Sequence, residues 1–394
     1  MTVGSAPRKP TPPGTFRELL DRFDPHVIDV RERSARIRLA VSDGDSWDVI
    51  VRGQHAWLEP PRDVFEPDAR LSADSATWER VAHDLRGGME AFRAGRLSVR
   101  LNLHLGVGFL AATSGITEPG RLRFESVKTK AGSVSTMQAG TGDPVVAIHG
   151  LGGTKASFLP TLAALVDTHR LIALDLPGFG DSDKPIAAPY DSAWFAGVVT
   201  DVMDELEIER AHLVGNSMGG RVAIELGLTA SDRSERIVLL SPALAWLRDR
   251  RWAPVVKALR PELGLVQLAP RTVVERIVRT LIPGARDGWA GAGVDEFLRA
   301  YLTPRGRAAF YAAARNIYLD EPHGDDGFWT RLAELSPDTM FVWGRQDGLV
   351  PISFMNHVER VLPAARHLEL DCGHVPQLER PRETHAAMRD FFAA

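Results

Sequence analysis

A single cysteine, Cys372, stands in 394 residues, so no disulfide can close within the chain and a reducing compartment is the expected setting. Long apolar runs are missing as well. The stretch "LHLGVGFLAA" at 103–112 stays well short of the ~20 residues that a membrane helix needs. The opening "MTVGSAPRKPTPPGTF" lacks the apolar run of a secretory signal, and the expectation is a cytoplasmic protein. Nor is there a surplus of positive charge. The formal net charge is -4, with Lys and Arg mixed among Asp and Glu; this provides no basic stripe for tracking phosphates and argues against a nucleic-acid partner. No Cys/His group has metal-ligand spacing, and no internal repeat is visible. What remains is a globular chain whose length points to two domains.

Residues 1–16 are proline-rich with few large apolar groups and are expected to form a disordered tail. In "RIRLAVSDGDSWDVIVRG" (36–53), Ile37, Leu39 and Val41 alternate before a "SDGDS" turn, and Trp47, Val49 and Val51 alternate after it, which predicts a hairpin with one buried face. A helix follows around "SATWERVAHDL", capped by Asp74 or Ser75. Next, "GRLSVRLNL" alternates Leu97, Val99, Leu101 and Leu103 and reads as a strand. Such mixing without a strand-helix-strand rhythm indicates a small α+β domain over 17–115.

A second domain is expected over 123–394. Two strand-like pieces open it, and short runs then recur, "VVAIHG", "RLIALDLPG", "AHLVGNS", "RIVLLSPA", "MFVWGR" and "HLELDCGH", with helical segments between them. Runs of this kind predict a parallel sheet covered on both faces, an α/β architecture. Residues 244–334 interrupt the rhythm with amphipathic helices, for example "TVVERIVRTLI" with Val273, Val274, Ile277, Val278 and Leu281 on one face. This insertion is a candidate cap. Its aromatic residues Trp246, Trp252, Phe297 and Tyr301 are read first as helix packing.

The chemistry concentrates in "HLVGNSMGGRVAIELG" (212–227), where Ser217 lies between a strand and a helix and is flanked by Gly215 and Gly219. A serine in that sharp turn is presented as a nucleophile at the start of a helix whose amides point toward developing negative charge. The "HGLGG" segment (149–153) follows an apolar strand, and the amides of Leu151 and Met218 are the expected oxyanion hole. Asp347 in "MFVWGRQDGLVP" and His374 in "LELDCGHVPQLERP" each follow a later strand; they are the expected acid and base. The strand ending in "SPA" offers no competing carboxylate. His149 is read as shaping its loop, Asp175 and Asp181 as stabilising turns, and Cys372 as a packed, inert thiol within the last strand-like run. The "GLGG" piece lacks the lysine of a phosphate-cradling loop.

These residues, together with "DLPGFGDSDKP" (175–185), resemble the α/β-hydrolase superfamily, whose chain order is Ser, Asp, His. The resemblance implies an α/β-hydrolase fold with a helical cap and a serine hydrolase for a small apolar ester, thioester or lipid, working through an acyl-enzyme without cofactor or metal. "GNSMGG" and "WGRQDGLVP" resemble both esterases and carbon-carbon bond hydrolases; the latter often carry tryptophan after the histidine, where this chain has Val375. Residues 67–103 resemble the sterol-carrier-protein-2 family, which implies a lipid tunnel in the domain 17–115, although Leu101 stands where members often have glycine. A non-catalytic lipid-binding or transfer protein is the alternative from another class. Oligomeric state, acyl chain length and lid movement stay open.

Overall fold

The computed structural model describes residues 12–30, 33–62, 64–83, 91, 95–116, 119–246, 253–266, 272–274, 276 and 288–394. Residues 1–11 of the tail expected at 1–16, Trp252, and the apolar positions Ile277, Val278 and Leu281 lie outside them. Two compact units divide the chain: Met1–Thr117 with Ile282–Asp295, and Glu118–Leu281 with Glu296–Ala394. The sequence assigned 244–334 wholly to the second domain; residues 282–295 instead group with the first.

In the first unit, strands β1 (Ala35–Val41), β2 (Trp47–Arg52), β3 (His55–Glu59), β4 (Ala69–Ala73) and β5 (Ser98–Arg100) form one sheet in the order β3-β2-β1-β4-β5. The expected hairpin pairs Ile37 with Val49 and Leu39 with Trp47, and all four side chains are buried because they share one face of the pleat. β1 also pairs in parallel with β4. A helix over Gly14–Asp21 opens inside the expected tail and buries Phe16 edge-on against Trp78, their ring centroids 5.2 Å apart. Apolar contact thus orders residues 14–16, contrary to the expectation.

The helix Ser75–His83 is capped by Asp74, whose Oδ1 accepts the Thr77 amide at 2.7 Å. The strand expected through Leu103 stops at Arg100. Leu101 adopts φ +73, Asn102 caps the next turn by accepting the Leu105 amide at 3.0 Å, and Leu103–Ala112 is a buried helix. A cap and a reversed backbone end the strand although the side-chain alternation continues. Within this unit, Asp295 accepts from Arg100 Nε at 2.5 Å and from the Leu101 amide at 3.2 Å.

The second unit holds β6 (Arg123–Thr129), β7 (Gly132–Ala139), β8 (Asp143–Ile148), β9 (His169–Leu174), β10 (Ala211–Asn216), β11 (Ser234–Leu240), β12 (Asp338–Gly344) and β13 (Arg366–Leu370), in the order β13-β12-β11-β10-β8-β9-β7-β6. From β9 to β13 every neighbouring pair is parallel. The β7 strand runs antiparallel to β9, and β6 antiparallel to β7. Val145, Val146, Leu213, Val214, Ile237 and Val238 are fully buried, as expected where helices cover both faces. No helix of the described residues is long and apolar enough to cross a membrane.

Candidate active site

The carboxyl ends of β8, β10 and β12 and the loop after β13 carry the residues singled out in the sequence. Ser217 follows β10 directly and caps the helix Met218–Thr229, with φ +52 and ψ -115. This backbone is one that side chains rarely adopt. Its amide donates to the Leu240 carbonyl at 3.0 Å, and its carbonyl accepts from Ala243 at 2.8 Å, so hydrogen bonds on both sides hold the strained turn. The two flanking glycines are needed for space. A β-carbon at Gly219 would stand 2.0 Å from the Ile148 carbonyl oxygen, and one at Gly215 would stand 2.4 Å from the Gly219 carbonyl oxygen.

His374 donates from Nδ1 to Asp347 Oδ2 at 2.8 Å. The other carboxylate oxygen, Oδ1, accepts the amides of Leu349 at 2.8 Å and Val350 at 2.9 Å. Burial acts to raise the Asp347 pKa, but the bond and charge of His374 and the two amides outweigh it and hold the carboxyl below its ordinary value. Asp347, accepting at Nδ1, fixes the ring's orientation and tautomer and leaves the Nε2 lone pair for base chemistry.

Asn216 joins this pair to the serine, a link the sequence reading missed. Its Nδ2 donates to the Leu240 carbonyl at 2.9 Å and to the His374 carbonyl at 3.1 Å. The acid and base loops are tied in turn by the Gln346 amide on the Cys372 carbonyl at 2.9 Å. Among the described residues the Ser217 hydroxyl makes no hydrogen bond to the His374 ring; such bonds often tighten only with substrate bound.

Met218 is the first residue of its helix, where an amide has no carbonyl partner inside the helix. Neither the Met218 nor the Leu151 amide donates to a protein acceptor among the described residues. Both remain available to an oxyanion. His149 does shape the loop: Nε2 accepts the Leu176 amide at 3.0 Å, so Nδ1 carries the proton and donates to the Gly150 carbonyl at 2.7 Å. Burial pushes its pKa down, which keeps the ring neutral. Cys372 lies in the loop beyond β13 rather than within a strand; it is buried, and burial raises its thiol pKa to about 11, which makes it inert.

Two of the aromatic residues expected as packing roof the 149–153 loop. Gly152, at φ +75, would place a β-carbon 2.6 Å from the Phe297 ring. Phe297 stacks on Tyr301 with centroids 5.0 Å apart, and both meet Phe310 edge-on. Trp246 packs against Tyr318 and Phe354.

A family model described as alpha/beta hydrolase fold matches residues 143–381. The dihydrolipoyllysine-residue acetyltransferase component of the acetoin cleaving system of Cupriavidus necator is 32% identical over 267 residues, which cover 64% of this chain and 64% of that protein. A 2-hydroxy-6-oxononadienedioate/2-hydroxy-6-oxononatrienedioate hydrolase of Cupriavidus pinatubonensis is 29% identical over 300 residues, covering 71% of this chain and 98% of the relative. Among solved structures, a hydrolase from Pseudomonas aeruginosa superposes with a TM-score of 0.57 at 26% identity, over 69% of this chain and 98% of that one.

Proposed function

The chain belongs to the alpha/beta-hydrolase family through residues 143–381, and from that membership we propose that it is a serine hydrolase cleaving an ester or thioester of an apolar acyl group. The observation that carries this reading is the 2.8 Å bond from His374 to Asp347, tied through Asn216 to a serine on a positive-φ backbone. In the proposed cycle, Ser217 Oγ attacks the acyl carbon while His374 Nε2 takes the hydroxyl proton. The Leu151 and Met218 amides receive the oxyanion, and Asp347 stabilises the imidazolium. Collapse expels the alcohol or thiol, which leaves with the proton from His374. Water, deprotonated by the same nitrogen, then attacks the acyl-enzyme and frees the acid. Phe297, Tyr301 and Phe310 support an apolar acyl group.

The test is labelling by a fluorophosphonate combined with turnover of p-nitrophenyl esters. Wild-type protein should label and turn over, and Ser217→Ala should lose both, with turnover down by about 10⁴-fold or more. Labelling that persists in Ser217→Ala would sink the assignment. The hydrolase of Cupriavidus pinatubonensis favours a second reading, cleavage of a carbon-carbon bond in a vinylogous ketone. Turnover of such a ketone with negligible ester hydrolysis would select it.

For residues 17–115 we propose the carrier-like role implied by the sequence, presentation of a lipid to the hydrolase. A fluorescent fatty acid that fails to bind the full chain would remove that role. In the first unit, the full burial of Phe16, Trp78 and Phe109 favours a purely structural role as its replacement.

A further inference from the structure

Beside the site runs a chain of five charged residues that the reaction described above does not use. Lys155, two residues past "HGLGG", is 2% exposed. Its amide donates to Asp175 Oδ1 at 2.7 Å, and its Nζ donates to Asp175 Oδ2 at 2.6 Å and to Asp181 Oδ2 at 3.3 Å. Asp181 in turn accepts Arg299 at 2.9 Å on its other oxygen, and Arg299 grips Glu296 at 2.5 Å, one turn earlier on the same cap helix. Glu296 and Asp175 are also buried. Asp175 and Asp181 are therefore ion-pair partners as well as turn formers.

On the same stretch of helix, Phe297 lies against Gly152 and, with Ala300 and Tyr301, over Gly153, Gly178 and Phe179. Between these groups the free volume is only about 10 Å³. The helix thus touches the base of the site in two ways, through Arg299 on the acid pair and through Phe297 on the residue next to the Leu151 amide. We infer that Arg299 is a positioning residue: clamped between Asp181 and Glu296, it seats Phe297 on Gly152 and so fixes the oxyanion loop. Burial works against the charge on Lys155, yet Asp175 and Asp181 outweigh it and raise its pKa; the carboxylates around Arg299 do the same there. A buried ion pair that loses one partner leaves the other uncompensated. The clamp therefore resists any lifting of the helix that separates Arg299 from Asp181.

The inference rests on the proposed serine hydrolase, and its test separates the two. Oxyanion donors act mainly in the transition state, so a displaced loop should lower kcat more than it raises KM. In the full chain, Arg299→Gln should reduce kcat for p-nitrophenyl acetate by about tenfold or more, part of the 10²–10³-fold seen when an oxyanion donor is lost, with KM changed less than threefold. Fluorophosphonate labelling of Ser217 should slow in parallel, and Arg299→Lys should recover part of both. Phe297→Ala, which keeps every charge, should reproduce the kcat loss should Arg299→Gln fail to fold. If wild-type protein labels on Ser217 but Arg299→Lys and Phe297→Ala label and turn over at its rate, Arg299 has no positioning role. If wild-type protein neither labels nor hydrolyses, the proposed function itself has failed.

Discussion

Asp347 shows how one residue can be singled out in the sequence by its position and understood only in the structure for its electrostatics. Its loop position makes it the proposed acid, but the two amides from Leu349 and Val350 and the imidazole of His374 favour its charged form. Asn216 was not legible at all, because its partner carbonyls belong to Leu240 and His374, far along the chain. Asp347 also carries a stability prediction. Its folded pKa lies below the ordinary 3.8, so the unfolded chain takes up the proton first as pH falls. The stabilisation from ionised Asp347 is then complete well above about 3.8 and disappears as pH drops through the lowered folded value. Asp347→Asn lacks this contribution. Its thermal midpoint should lie below that of wild type at pH 7, with the gap closing toward pH 3; a gap that stays constant across that range would contradict the ionised, hydrogen-bonded carboxylate.

Elements were legible where a single periodicity governed them. The parallel strands stood out because burial on both faces requires continuous Val, Ile and Leu, as in Val145 to Ile148 and Leu213 to Val214. The end of β5 did not, because alternation through Leu101 and Leu103 persists while Asn102 caps a helix. The ion chain was hidden for another reason: Lys155, Asp181 and Arg299 meet only when two loops and a cap helix converge. The turn between β10 and its helix carries the element-scale prediction. Gly219→Ala drives a methyl into the carbonyls of Ile148 and His149, at 2.0 and 2.7 Å, and backbone cannot yield as a side-chain tip can. Destabilisation should reach or exceed the upper end of the about 1–3 kcal/mol typical of overpacking, read as a lower urea midpoint. An unchanged midpoint would mean that helix and strand are not packed this closely.

The whole molecule carries several imidazoles buried without charge. Burial, together with neighbouring cations, lowers the pKa of His212 and that of His385 to about 4 each, from 6.5. Between those values the unfolded chain binds protons that the native state refuses, so stability should decline as pH falls from 6.5 toward 4. Urea midpoints at pH 7.5 and 5 measure the decline, and the double variant His212→Asn, His385→Asn should flatten it; equal midpoints in wild type would show that these rings are not held neutral. One consequence of the turn at Ser217 reaches beyond the single molecule. At φ +52 and ψ -115, glycine would sit without the strain that serine bears. Descendants filtered for folding alone would therefore drift toward glycine at 217, and only a lineage screened for its hydroxyl would keep the costlier residue. On the proposed function, the β-carbon at that position would be a fossil of selection for chemistry, legible in a single backbone angle.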